Sequence, residues 1–140
     1  MIALNKVSAH EARQLMDVAL AEAEKIGKQL VVSVCGPETE LLAFLRMDGA
    51  NQASATIAQN KAYTAAKDRK STRMLGQYMK EKERQVGFWG DPRITGFGGG
   101  LPIVINGQVI GGIGISGLSE AEDERIAAVA IRAVFPQAEL

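Results

Sequence analysis

The strongest constraint on the fold is the stretch from Gly98 to Gly117, which contains two short β-branched segments separated by one turn. The turn is Asn106-Gly107, and apolar residues lie on both sides of it. Asn-Gly is the strongest short-range signal for a β-hairpin, because the type I′ turn needs a positive φ at both central residues. We therefore predict a hairpin at the centre of the sheet, followed by a helix that begins at Ser119.

Glycines are concentrated on the second strand of this predicted hairpin. They occur at Gly111, Gly112 and Gly114, and Gly99 and Gly100 precede the first strand. Glycine weakens a strand, so a cluster of glycines indicates that another backbone or a ligand approaches closely. We expect a binding face here, with Gly99, Gly100, Gly112 and Gly114 beside a bound small molecule.

The rest of the chain combines helices with a second hairpin. Ser8-Ala-His-Glu11 is a capping box, and the helix that follows has apolar residues at the helical period. The other predicted elements are strands at 30–35 and 41–45, helices at 52–67 and 71–84, a last helix from Ser119 to Pro136, and a candidate edge strand at 2–6. This order predicts an α+β fold, in which helices pack on an antiparallel sheet.

Length and composition limit the class of protein. The 140 residues include 16 Lys and Arg and 16 Asp and Glu, so the net charge is zero. We expect a single domain over residues 1–140, no nucleic-acid partner and no membrane partner, since there is no charge excess and no run as long as a membrane span. With one cysteine and no signal-peptide pattern, the protein is predicted to be cytoplasmic. A neutral surface also offers little charge repulsion against self-association.

The segment from Gly112 to Gly117 matches G-x-G-x-x-G, the glycine pattern of dinucleotide-binding folds. That fingerprint needs a following parallel strand with an acidic residue about 20 residues further on. Here the glycines lie on the second arm of a hairpin, so we reject this interpretation. A structural glycine cluster or an anion site at the N-terminus of the Ser119 helix remain open.

His10 and Cys35 are the only histidine and the only cysteine. His10 lies in the first turn of the first helix. It is either a solvated surface residue or a metal ligand, in particular an axial ligand to haem iron. Cys35 ends a predicted core strand, where a buried, unreactive thiol is the favoured interpretation and a thiolate ligand or nucleophile is the alternative.

Four charged residues are candidates for binding or catalysis. Arg46 follows a strand, and Lys61 lies among alanines in a helix. Each is either a solvated or paired charge or a group that binds a ligand carboxylate or phosphate. Asp123 and Glu124 lie in the first turn of the last helix, where acids favour the helix dipole. The alternative is that they transfer protons in a reaction.

Five motifs occur in an order that resembles a known family. They are Arg46-Met-Asp-Gly-Ala50, Lys61-Ala62 with Thr64-Ala65, Gly99-Gly100-Leu-Pro102-Ile103, Gly111 to Gly117, and Asp123-Glu124. Each motif is weak alone, but together they resemble the GlcG/HbpS-like family, which also forms the C-terminal domain of PduO-type cobalamin adenosyltransferases. The resemblance covers residues 4–134, which is essentially the whole chain.

The resemblance implies a profilin-like α+β domain with a central antiparallel sheet of about five strands flanked by helices, and assembly into homo-oligomers. It also implies haem binding in some members, and haem degradation is proposed for some. One departure is Gly36, where family members usually carry Asp at the end of the first hairpin strand.

Three functions remain open. The first is a small-molecule or cofactor-binding protein that binds or handles haem, with His10 as the iron ligand and Lys61 among the binding residues. The second is an enzyme acting on a small organic acid, a hydrolase or tautomerase, in which Arg46 or Lys61 holds the carboxylate and Asp123 or Glu124 transfers protons. The third is a structural subunit of an oligomer. The first two assume that bare glycine backbone leaves room for a guest molecule.

Overall fold

The computed structural model describes residues 1–140 and contains four α-helices, one short 3-10 helix and four β-strands. The helices are α1 (Ala9–Lys25), α2 (Ala53–Asp68), α3 (Thr72–Lys82) and α4 (Glu120–Val134), and the strands are β1 (Val31–Cys35), β2 (Leu41–Arg46), β3 (Gly100–Ile105) and β4 (Gln108–Ser116). This composition confirms the α+β class. None of the helices combines the length and the apolar character needed to cross a membrane.

The strands form one antiparallel sheet in the order β2-β1-β4-β3. The predicted hairpin is confirmed, and Asn106 and Gly107 have φ values of 50° and 74°, as its turn requires. Its second strand, β4, is central, and its first strand, β3, lies at an edge. Because β4 is antiparallel to both of its neighbours, its glycines do not belong to the parallel β-α-β unit of a dinucleotide-binding fold.

The sheet has four strands, one fewer than the resemblance implies, and the candidate edge strand at residues 2–6 is wrong. These residues are exposed and belong to no strand. The only backbone hydrogen bond from this segment to the sheet is at Val7, whose N–H donates to the Ile110 carbonyl at 2.9 Å. A single hydrogen bond does not make the ladder that defines a strand pair. The likeness to profilin stays a prediction.

Helices cover both faces of the sheet and make three layers. Helices α1 and α4 pack together on one face, and α2 packs on the other. The side chains of β4 alternate between these layers, as a strand requires. Ile113 and Ile115 enter the main core with Leu15 of α1 and Ile126 of α4, so Gly112 and Gly114, which alternate with them, face α2.

Helix α2 lies directly on the glycines of β4. A Cβ atom added at Gly112 would be 2.6 Å from the Ala62 carbonyl oxygen, and one added at Gly114 would be 2.6 Å from the Ala62 nitrogen. Both distances are far below van der Waals contact with rigid backbone. The space that we expected for a guest molecule beside Gly112 and Gly114 is therefore filled by the α2 backbone. Of the two sequence interpretations, close packing by another backbone is correct.

The connection from α3 to β3 is anchored on α2 through a buried carboxylate, Asp91. It accepts hydrogen bonds from the Tyr63 hydroxyl and from Lys67 Nζ at 2.7 Å. The Arg93 backbone N–H also donates to it at 3.0 Å, and the Arg93 guanidinium lies over the Tyr63 ring at 4.1 Å. Lys67 and Tyr63, followed by Arg93, hold the pKa of the Asp91 carboxyl well below its usual range.

Candidate functional site

Lys61 and Asp123 form an ion pair in the interior of the protein. Lys61 lies on the sheet side of α2, Asp123 lies in the first turn of α4, and their side chains are 3% and 2% exposed. Lys61 Nζ is 3.1 Å from Asp123 Oδ2 and donates to the Ile115 carbonyl at 2.8 Å. Asp123 Oδ1 accepts the Leu118 N–H at 3.1 Å. The pair thus ties α2, the end of β4 and the start of α4 together.

Gly99 and Gly100 enclose this ion pair rather than an open cleft. A Cβ atom at Gly99 would be 2.8 Å from Lys61 Nζ, and one at Gly100 would be 2.5 Å from the Lys61 carbonyl oxygen. Gly99 also has a φ of 123°, a backbone conformation that residues other than glycine rarely adopt. Burial raises the pKa of the Asp123 carboxyl, and attraction to Lys61 opposes the rise. All polar atoms of the pair are satisfied within the protein, so the arrangement is that of a structural tie.

Arg46 and Glu124 lie apart from each other and from the buried pair. Arg46 is exposed, and its Nε and Nη2 atoms donate to the Ala50 carbonyl at 3.1 and 2.9 Å, which closes the turn between β2 and α2. Glu124 lies on the outer side of α4 and accepts from Arg73 of α3. The structure therefore does not join Arg46, Asp123 and Glu124 into one site.

His10 is exposed on the first turn of α1. No group of three or more histidine, cysteine or acidic side chains is placed to hold a metal ion. Cys35 is buried as predicted, and its thiol donates to the Ala62 carbonyl at 3.3 Å. Burial raises the pKa of this thiol to about 12, so it is almost entirely protonated at neutral pH and is a poor nucleophile.

The N-terminus of α4 does not offer an open anion site. Its first N–H groups are capped by Ser119, whose hydroxyl accepts from Glu122 N at 3.2 Å. Glu120 accepts the Gly98 N–H at 2.7 Å, and Asp123 accepts the Leu118 N–H. The carboxylates of the protein itself occupy this end of the helix.

A surface cavity of about 620 Å³ lies between the start of α3, strand β3 and the outer side of α4. We call it the basic cavity, because its lining includes five cationic side chains and two carboxylates. The cations are Arg69, Lys70, Arg73, Arg125 and Arg132, and the carboxylates are Glu124 and Glu139. Apolar groups of Met74, Leu101, Pro102 and Ala128 also line it, together with Ser71, Ala121 and Leu140. Its size is within the range of small-molecule and cofactor sites.

A second cavity, which we call the loop cavity, adjoins the basic cavity along α3. It is about 970 Å³ and is lined by residues of α3, the following loop and the start of α4. The lining includes the apolar side chains of Met79, Val86, Ile94 and Phe97 and the polar side chains of Gln77, Lys80, Thr95 and Glu120. Arg73 and Glu124 line both cavities. A third cavity of about 420 Å³ lies between the two hairpin turns. His10, Arg46, Lys61 and Asp123 line none of the three.

The basic cavity was not foreseen from the sequence. Part of the signal is visible, since Arg69, Lys70 and Arg73 are close along the chain and Arg125 and Arg132 are two helical turns apart on α4. Nothing in the sequence shows that these two groups face one another, because that depends on how α3 and α4 meet at β3.

The fold and the cavities define a small three-layer α+β domain with a ligand-sized basic cavity on its surface. A family model described as haem degrading protein HbpS-like matches residues 7–132. The chain therefore belongs to the HbpS-like family, as the motifs indicate.

Two relatives illustrate the similarity in sequence. The chain is 34% identical to protein GlcG of Escherichia coli K12 over 110 residues, which cover 79% of this chain and 81% of GlcG. It is 31% identical to the corrinoid adenosyltransferase PduO of Salmonella typhimurium over 130 residues. That match covers 91% of this chain but 39% of PduO, so the chain corresponds to less than half of that protein.

Solved structures agree with this assignment. A crystal structure of PduOC in complex with haem has a TM-score of 0.86 and 29% identity, and the match covers 96% of this chain and 97% of that one. A crystal structure of HbpS has a TM-score of 0.87 and 28% identity, and the match covers 96% of this chain and 94% of that one. One of these similar domains therefore holds haem.

Proposed function

We propose that this protein is a binding protein for haem or a closely similar molecule, and that the basic cavity is the binding site. Haem has a large apolar ring and two propionate carboxylates at one edge. The observation that carries the proposal is the lining of the basic cavity, which combines an apolar surface with an excess of cationic side chains. The family description and the haem complex of PduOC support the choice of ligand.

The chemistry of the lining fits the body of the ligand. Leu101, Pro102 and Ala128 offer apolar surface to the ring. Arg69 and Arg132 make no ion pair within the protein, so they are available for the propionates. Arginine suits this role, because its guanidinium matches a carboxylate with two parallel hydrogen bonds.

The two candidate iron ligands are His10 and Met74. His10 is the only imidazole of the chain, but it lies outside the basic cavity. Iron ligation by His10 would need a surface site or a second copy of the chain, which agrees with the predicted homo-oligomer. Within the cavity, the thioether of Met74 is the available soft ligand. When bound, haem supplies an iron centre for ligand binding or electron transfer.

The test is a titration of the purified protein with haemin, followed through the Soret band. We expect saturable binding by the natural chain. Ala128→Trp fills the cavity and Arg132→Glu reverses a cation, so we expect each to weaken binding at least about tenfold. Lys82→Glu makes the same charge change at an exposed position outside the cavity and is the matched control. His10→Ala and Met74→Leu in the same titration separate the two candidate iron ligands through the position of the band.

The proposal is wrong if haemin fails to saturate the natural chain, or if Ala128→Trp and Arg132→Glu bind as Lys82→Glu does. Native mass spectrometry of the same samples reports the number of subunits and any retained ligand, which tests the predicted self-association. We also propose that the protein is cytoplasmic. The alternative, an enzyme acting on a small organic acid, has no comparable support, because its predicted residues Arg46, Asp123 and Glu124 do not meet.

A further inference from the structure

The boundary between the basic cavity and the loop cavity is an ion pair. Arg73 Nε of α3 donates to Glu124 Oε1 at 3.1 Å and to Oε2 at 3.2 Å. Both residues line both cavities, and their side chains are 52% and 25% exposed. The Arg73 side chain therefore lies where the two cavities adjoin, in contact with solvent, and is held there by a carboxylate of the protein.

The guanidinium of Arg73 is only partly used by this pair. A guanidinium carries five N–H donors, and Nε is the only Arg73 nitrogen that makes a side-chain hydrogen bond in the structure. A guanidinium binds a carboxylate with two parallel hydrogen bonds, either across Nη1 and Nη2 or along the edge formed by Nε and one Nη group. Glu124 therefore occupies the Nε edge of the group that an incoming anion would bind, and it partly neutralises the charge of that group.

We infer that Glu124 competes with the ligand for Arg73 and thereby sets the affinity of the groove for carboxylate-bearing molecules. This inference rests on the basic cavity being a binding site, and it deepens the proposed function by specifying the ligand class as an apolar anion. Arg73 binds the anionic group, and Glu124 lowers the affinity by occupying and partly neutralising Arg73. A neutral ligand of the same shape does not compete for Arg73 and is unaffected by Glu124.

The expected effect is moderate, because ion pairs with this exposure are weak and are screened by salt. Replacing Glu124 with the isosteric, neutral glutamine removes the competition without opening a hole in the lining. We expect Glu124→Gln to tighten the binding of an apolar anion about two- to fivefold at low ionic strength, with a smaller effect at high salt.

The experiment measures two pairs of probes on the natural chain, Glu124→Gln, Arg73→Gln and the double variant. The first pair is haemin and its dimethyl ester, followed through the Soret band. The second pair is anilinonaphthalene sulfonate, an apolar anion, and neutral phenylnaphthylamine, followed by fluorescence. Glu24→Gln, an exposed glutamate on α1 outside the three cavities, is the matched control. Circular dichroism verifies that each variant is folded.

We expect Glu124→Gln to tighten the binding of haemin and of the sulfonate, but not the binding of the dimethyl ester or of the neutral amine. We expect Arg73→Gln to weaken the binding of both anions, and the double variant to bind every probe as Arg73→Gln does. The inference is overturned if Glu124→Gln acts equally on charged and neutral probes, acts without Arg73, or has no more effect than Glu24→Gln. If haemin does not bind but the sulfonate responds as expected, the haem proposal fails and this inference stands.

Discussion

The carboxylate of Glu40 occupies the space that a side chain at Gly36 would fill. A Cβ atom built on Gly36 would be 2.7 Å from Glu40 Oε2 and closer still to the rest of that carboxylate. Glu40 also accepts from Lys6 Nζ at 2.9 Å and from the Glu38 N–H at 3.0 Å. The resemblance predicts an aspartate where this chain has Gly36, and here the turn residue Glu40 places its carboxylate against Gly36.

We expect Gly36→Asp to destabilise the protein by about 1–2 kcal/mol. Two carboxylates would then compete for one space and for Lys6, although Glu40 can relieve the contact by rotating away. In Gly36→Asp/Glu40→Ala the new aspartate can pair with Lys6. Urea unfolding of the two single variants and the double variant is the measurement. Additive losses would contradict the idea that the two positions share one carboxylate.

The buried pair of Lys61 and Asp123 is predicted to be a structural tie. Lys61→Met leaves the Asp123 carboxylate buried without a counter-charge, and we expect a loss of about 3–5 kcal/mol in the free energy of unfolding. Adding Asp123→Asn removes the orphaned charge while an amide oxygen still accepts from Leu118. The double variant should therefore be clearly more stable than the sum of the single losses predicts. Equal haemin affinity in every folded variant would agree with a structural role.

The close contact between β4 and α2 makes Gly114 intolerant of any side chain. Gly114→Ala places a methyl group against the backbone of Ala58 and Ala62, which cannot move without displacing α2. We expect a loss of about 3 kcal/mol in the free energy of unfolding. Gly87→Ala is the matched control, since a Cβ atom there meets nothing within 4 Å. Similar stability of the two variants would show that α2 can move away from the sheet.

The anchor at Asp91 predicts an acid-sensitive part of the stability. The pKa of this carboxyl is lowered in the folded protein, while the ordinary value of about 3.9 applies in the unfolded chain. Below that value the unfolded state binds the proton more readily, so the contribution of Asp91 is fully present at neutral pH. It begins to be lost as the pH falls below about 4, and the loss continues towards the lower pKa of the folded protein. The Asp123 carboxyl shifts in the opposite direction, which is why a comparison of variants is needed.

Urea unfolding between pH 7 and pH 3 measures this contribution. We expect the natural chain to lose more stability over this range than Asp91→Asn does. Asp48→Asn changes an exposed aspartate and should follow the natural chain. A pH profile of Asp91→Asn identical to that of the natural chain would contradict the prediction.

Much of the fold is determined by local sequence. The Asn106-Gly107 turn, the Ser8 capping box and the apolar periods specified the α+β class, and five weak motifs in order indicated the family that the comparisons show. These signals are readable because turn geometry, capping and helical period depend on residues close along the chain. The strand predicted at residues 2–6 is the exception, because a strand forms only when a neighbouring strand is in place to hydrogen-bond with it.

Where the candidate site residues and the basic cavity lie was decided by the tertiary structure. The glycines of β4 predicted a close approach, but the sequence did not show whether a ligand or α2 makes it. The sequence predicted Lys61 as a binding residue and Asp123 as a catalytic residue, whereas the structure buries both in one ion pair. The basic cavity has its cations on elements that are distant in the chain. Which charges meet is decided by the packing of α2, α3 and α4 on the sheet, and no local pattern records that packing.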